Sequence, residues 1–83
     1  MDKVLVNVYV PAAGQDFDVL LPRGIRISEV TYVLPQMLSE LSNGKFNPSD
    51  DVAVCSRDSG ALLNVNITVD ELDIKNGTRL MII

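Results

Sequence analysis

Val4, Val6, Val8 and Val10 alternate with Leu5, Asn7 and Tyr9 in the stretch KVLVNVYVP. A period of two predicts a β-strand with one β-branched face and one mixed face, and Pro11 closes it. After PAAGQ the alternation resumes, with Phe17, Val19 and Leu21 on one side and Asp16, Asp18 and Leu20 on the other, ending at Pro22 and Gly24. Two such runs with a short glycine-containing link predict an antiparallel hairpin whose valine face and Phe17 face turn the same way.

The period then changes. Val30, Val33, Leu34, Met37, Leu38 and Leu41 recur at the three- and four-residue spacing of a helix face. Ser28 reads as the N-cap, Glu29 suits the first turn, Ile27 is placed to staple onto Tyr32, and Asn43-Gly44 supplies the stop. Pro35 lies inside this pattern, where it removes a backbone donor, so a bend is expected there. Beyond the loop KFNPSD, Val52 and Val54 alternate with Ala53, Cys55 and Arg57 in a third strand. Asp58-Ser59-Gly60 reads as a turn and ALLN as a short return strand. Thr68 is expected to cap a turn of helix holding Asp70 and Glu71, and Asn76-Gly77 to turn the chain into a last strand, TRLMII. The reading is β-β-α-β-β-turn-β, an α+β fold in which a mixed sheet of four to five strands packs on one helix.

Length adds one constraint: 83 residues make a single domain, 1–83, with one core. One cysteine and no histidine exclude a disulfide framework, so apolar packing must suffice. Seven basic residues stand against eleven acidic ones, and the basic residues do not cluster. A net charge of −4 repels phosphate backbones, and nucleic acid is not an expected partner. The N-terminal stretch alternates as a strand and lacks the pattern of a signal peptide, which predicts a cytoplasmic protein. No apolar run reaches the roughly 18 residues that cross a bilayer, so direct membrane insertion is not expected.

Reactive chemistry is sparse. Cys55 has no histidine to activate it and reads as an ordinary packed or partly exposed thiol. Iron–sulfur ligation needs four thiolates. Asp70, Glu71 and Asp73 miss the spacing of a calcium loop, and Asp50-Asp51 read as solvated charges flanking a strand. Tyr9 and Tyr32 are too few for a base-stacking platform. No catalytic residue, metal or cofactor is expected, and the chain does not read as an enzyme.

The element order, with a helical turn before the final strand, resembles the β-grasp arrangement of ubiquitin, and TVDELDIKNGTRLMII resembles ubiquitin's last segment. That resemblance places Val69, Ile74, Leu80 and Ile82 in the core. More narrowly, KVLVNVYVP, the second strand DVLLP, the helix after it and the finish IKNG-x-x-L resemble the YukD/EsaB family, small ubiquitin-like proteins associated with the type VII (WXG100) secretion machinery of Gram-positive bacteria. The resemblance implies a non-conjugated, protein-binding adaptor or regulator whose partners are cytoplasmic parts of a membrane secretion complex. Conjugation needs a flexible Gly-Gly tail, and the sequence given finishes Met81-Ile82-Ile83, so covalent attachment is not expected. The alternatives are a generic ubiquitin-like interaction module, or a modifier or sulfur-carrier relative without the tail.

A docking face follows from the alternation. If the valine face lies under the helix, the opposite face carries Leu5, Asn7, Tyr9, Leu20, Ala53, Cys55, Arg57, Arg79, Met81 and Ile83. With the last strand between the first and third, as in ubiquitin, these become neighbours. The expected result is a partly apolar surface with a polar rim.

Overall fold

Four valines set the first element. In the computed structural model, which describes residues 2–44 and 52–83, Val4, Val6, Val8 and Val10 are all fully buried on one side of strand β1, Lys3–Val10. Burying each such side chain contributes about 1.5–3 kcal/mol. The turn at Pro11–Gly14 is closed by the amides of Ala13 and Gly14, which donate to the carbonyls of Val10 and Pro11 at 3.1 Å. Gly14 sits there at φ +63°, a conformation that costs glycine little. Strand β2, Gln15–Pro22, then returns antiparallel to β1, pairing Val10 with Gln15 through Lys3 with Pro22. Val19 and Leu21 are buried on the valine side, as the alternation predicts.

Helix α1 spans Ile27–Leu41 and buries Ile27, Val30, Leu34, Pro35 and Leu38. Its start differs from the sequence reading. Arg26 is the N-cap and makes no side-chain capping bond, and Ser28 lies inside the first turn. The reason is tertiary: the amides of Ile27 and Ser28, normally orphaned, donate to the carbonyls of Ile67 and Val65 at 2.9 and 3.0 Å. The Ile27–Tyr32 staple is also absent, with Ile27 buried and Tyr32 73% exposed. Five residues rotate a helix by about 140° beyond a full turn, too far for one face. Pro35 is accommodated in one continuous helix and turns inward, so burial is centred toward its side of the stripe. Met37 and Leu41 are left exposed. At the other end, the amides of Gly44 and Asn43 donate to the carbonyls of Ser39 and Glu40, the paired bonds of a Schellman stop, with Asn43 at φ +56° and Gly44 at φ +82°.

Strand β3, Val54–Ser56, and strand β4, Arg79–Ile82, complete a mixed sheet ordered β2-β1-β4-β3. β4 runs parallel to β1 and antiparallel to β3. The ALLN segment forms an isolated bridge, Cys55 with Leu62, rather than a fifth strand. The Asp50-Asp51 pair lies outside the described residues. Thr68 and Glu71 form the reciprocal capping box, each side chain accepting from the other's amide at 3.1 and 3.0 Å. Behind it Asp73, at φ +59°, ends the turn. Lys75–Thr78 is a tight turn closed at 3.0 Å with Gly77 at φ +88°. Val69, Ile74, Leu80 and Ile82 are buried with the valines in one core between sheet and helix.

Candidate functional site

The face of the sheet turned away from α1 is ordered by its register. In one row Leu5 opposes Leu20. In the next, Asp18, Asn7 and Arg79 are paired in turn, and the Arg57 amide donates to the Arg79 carbonyl at 3.1 Å. A third row runs Asp16, Tyr9, Met81, Cys55. Beyond the formal end of β4, Ala53 and Ile83 exchange both backbone bonds, at 2.8 and 2.9 Å. All ten residues of the expected docking face therefore lie on one side of the sheet.

Their exposure is uneven. Leu5, Leu20 and Ile83 are 44, 56 and 59% exposed, while Tyr9, Ala53 and Met81 are intermediate. Cys55 departs from the expectation: it is fully buried and presents no surface. Its short side chain lies between larger neighbours on both sides, Met81 in β4 and Leu62 across the bridge, and its thiol reaches the Met81 carbonyl at 3.5 Å.

The middle of the face is polar. Arg57 lies over the Tyr9 ring at 4.5 Å, its Nη1 is 3.7 Å from Asp16 Oδ2, and it donates to Asn7 Oδ1 at 3.5 Å. Asn7 Nδ2 in turn donates to Asp16 and Asp18, at 3.2 and 3.3 Å. Arg79 pairs with Asp58. Exposed pairs of this kind contribute little stability, but together they hold long side chains in fixed positions. The face is thus an ionic belt with apolar patches on either side, Leu5 and Leu20 at one end and Met81 and Ile83 at the other. The alternation points out the members of the face but not the belt. Alternation puts Asp16 and Asp18 on this side of β2, register sets them opposite Tyr9 and Asn7, a pairing that follows from counting back from the hairpin turn, and Asp58 joins from the turn after β3.

No group of three or more histidine, cysteine, aspartate or glutamate side chains is placed to hold a metal among the described residues. An open groove of about 410 Å³ lined by Asp2, Arg23, Gly24, Thr68 and Asp70 is crossed by an Arg23–Asp70 ion pair at 3.8 Å. No helix of the described residues is long and apolar enough to cross a membrane.

No family model and no curated protein matches the sequence. Solved structures do. A chain of the MycP5-free ESX-5 inner membrane complex, State II, is 28% identical over all of this chain with a TM-score of 0.82, and the match spans 21% of that longer chain. The EccD5 ubiquitin-like domain from Mycobacterium xenopi is 20% identical with a TM-score of 0.82, covering all of this chain and 94% of the domain. The ubiquitin-like domain of the Mycobacterium tuberculosis type VII secretion system protein ECCD1 is 17% identical, covering all of this chain and 99% of that one, with a TM-score of 0.75. The fold is ubiquitin-like, and its structural neighbours include ubiquitin-like domains of type VII secretion components, in keeping with a YukD-like protein.

Proposed function

We propose that this chain is a protein-binding adaptor or regulator of a bacterial type VII secretion system, working in the cytoplasm by non-covalent docking and carrying out no reaction of its own. The observation that carries this reading is the 28% identity, over the whole chain, to a chain of an ESX-5 inner membrane complex. The outer sheet face gives the reading a surface. Exposed Leu5, Leu20 and Ile83 supply area to bury, and the Arg57–Asp16–Asn7 belt between them supplies fixed charges that set a partner's orientation.

The test is a paired substitution, Leu5→Asp with Met81→Asp, assayed for fold by circular dichroism and for secretion of WXG100 substrates in a host that depends on the protein. Lost secretion with a retained fold supports the face. Full secretion moves the contact elsewhere, the outer side of α1 around Tyr32, Gln36 and Glu40 being the next surface to probe. A second reading is an interaction module of the kind built into larger secretion proteins, which the 21% span of the ESX-5 match favours. Complementation separates the two: the chain expressed alone restores secretion only if it acts without a covalently attached partner domain.

A further inference from the structure

Among the described residues the β3 edge of the sheet is bridged by Ala61–Leu63 while the β2 edge has no neighbour, and the chemistry of β2 points to what would pair with it. Asn7 donates to the Thr78 carbonyl at 3.0 Å and the Leu5 carbonyl accepts from Gly77 at 2.8 Å, so the odd positions of β1 turn their backbone groups to β4. Alternation then turns the even positions to β2, and Val4–Leu21, Val6–Val19, Val8–Phe17 and Val10–Gln15 exchange the ladder bonds. The remaining β2 residues, Asp16, Asp18 and Leu20, direct their amides and carbonyls away from the sheet. Order β2-β1-β4-β3 leaves no strand there among the described residues. The β2 edge is eight residues long and paired to β1 without a bulge. An edge of this kind accepts an added strand.

We propose that the β2 edge binds an extended segment of a partner protein that carries basic side chains at alternate positions and apolar side chains between them. The residues that offer free backbone groups are also the ones whose side chains stand on the outer face, so an added strand places its outward side chains beside Asp16, Asp18 and Leu20. Two carboxylates in line call for lysine or arginine opposite them. On the inner side the edge offers Phe17, which is only partly buried although Val19 and Leu21 on the same side are buried, so it gives an apolar side chain a place to anchor. The same carboxylates argue against a second copy of this chain, because joining two β2 edges sets Asp16 and Asp18 of both copies on one strip of surface.

The site is made from the backbone groups of the β2 edge; it shares Asp16 and Leu20 with the outer face but uses neither Leu5 nor Met81. The L5D/M81D protein that tests face docking therefore keeps it, and failure of one reading leaves the other standing. The probe is a short, end-capped peptide of alternating lysine and valine, titrated into the labelled protein and followed by amide hydrogen exchange. The expected result is saturable binding in which the amides of Asp16, Asp18 and Leu20 become protected, while those of Phe17, Val19 and Leu21, already bonded to β1, do not change. Asp18→Lys, with its fold verified by the same spectra, should weaken binding about fivefold, the scale of one reversed cross-strand charge pair. Three results overturn the proposal: no binding, which makes the carboxylates guards of an unused edge; binding without protection of the three amides, which is charge adsorption; or equal binding of the peptide with aspartate in place of lysine.

Discussion

Replacing Pro35 with alanine sets three effects against one another within helix α1. Proline in a helix interior costs about 3 kcal/mol relative to alanine, because the amide donor is missing and the ring crowds the carbonyl four residues back, here that of Thr31. Alanine restores that bond. Against the gain stands burial: Pro35 is among the inward-facing residues of the helix, and alanine removes two ring carbons at about 0.8 kcal/mol each. It also releases the unfolded chain from proline's constraint, which takes back a further 0.4–1 kcal/mol or so. The balance is a gain of about 0–1 kcal/mol for Pro35→Ala, checked by urea unfolding followed in the far-ultraviolet with the slope unchanged from the parent. Pro35→Gly, with poorer helix propensity and no side chain, should fall about 1 kcal/mol below the alanine variant. A loss above about 2 kcal/mol for alanine at unchanged slope would refute the reasoning. It would mean that the proline ring fixes a helix shape on which the packing of Leu34 and Leu38 depends.

Other substitutions probe features that position the docking face. Gly77→Ala meets no atom within 4 Å, so its cost is backbone strain alone at φ +88°, about 1–2 kcal/mol by chemical denaturation, and a neutral result would show that the turn relaxes. Thr68→Ala breaks the capping box with Glu71 and should cost about 1 kcal/mol, accompanied by faster exchange of the Ile27 and Ser28 amides if the Val65–Ile67 carbonyls shift with it. Cys55, fully buried, should react with an aromatic disulfide reagent only through opening of the structure, at a rate that rises with urea in parallel with unfolding; rapid labelling in native buffer would place the thiol at the surface.

The core was legible because each of its parts is periodic over a short stretch. Four alternate valines, then Val19 and Leu21, then the helical run through Val30, Leu34 and Leu38, each announce a buried face without knowledge of the rest, and all are buried. The misreadings share a different cause. Ser28 looks like a cap because serine is a good one, but in the fold the carbonyls of Ile67 and Val65, far along the chain, take the amides of Ile27 and Ser28, so the helix starts earlier with Arg26 as its cap and Ser28 inside the first turn. Cys55 looks like surface because it alternates with Val54. Only the bridge to Leu62 and the register against Met81 enclose it.

The docking face divides along the same line. Its members follow from alternation, which is local, whereas its character follows from which charges the register brings together. Asn7 meets Asp16 and Asp18 through a hairpin, a short-range pairing that can be counted from the turn. Arg57 reaches Asn7 and Tyr9 only because β4 inserts parallel to β1 and carries β3 beside it, a long-range step that no stretch of sequence displays by itself. An isolated Tyr9 or Arg57 is therefore uninformative as a sequence feature. As a pair, stacked across a strand that separates them, they report that the parallel pairing has formed, and the polar belt over which a partner must fit is a product of topology rather than of composition.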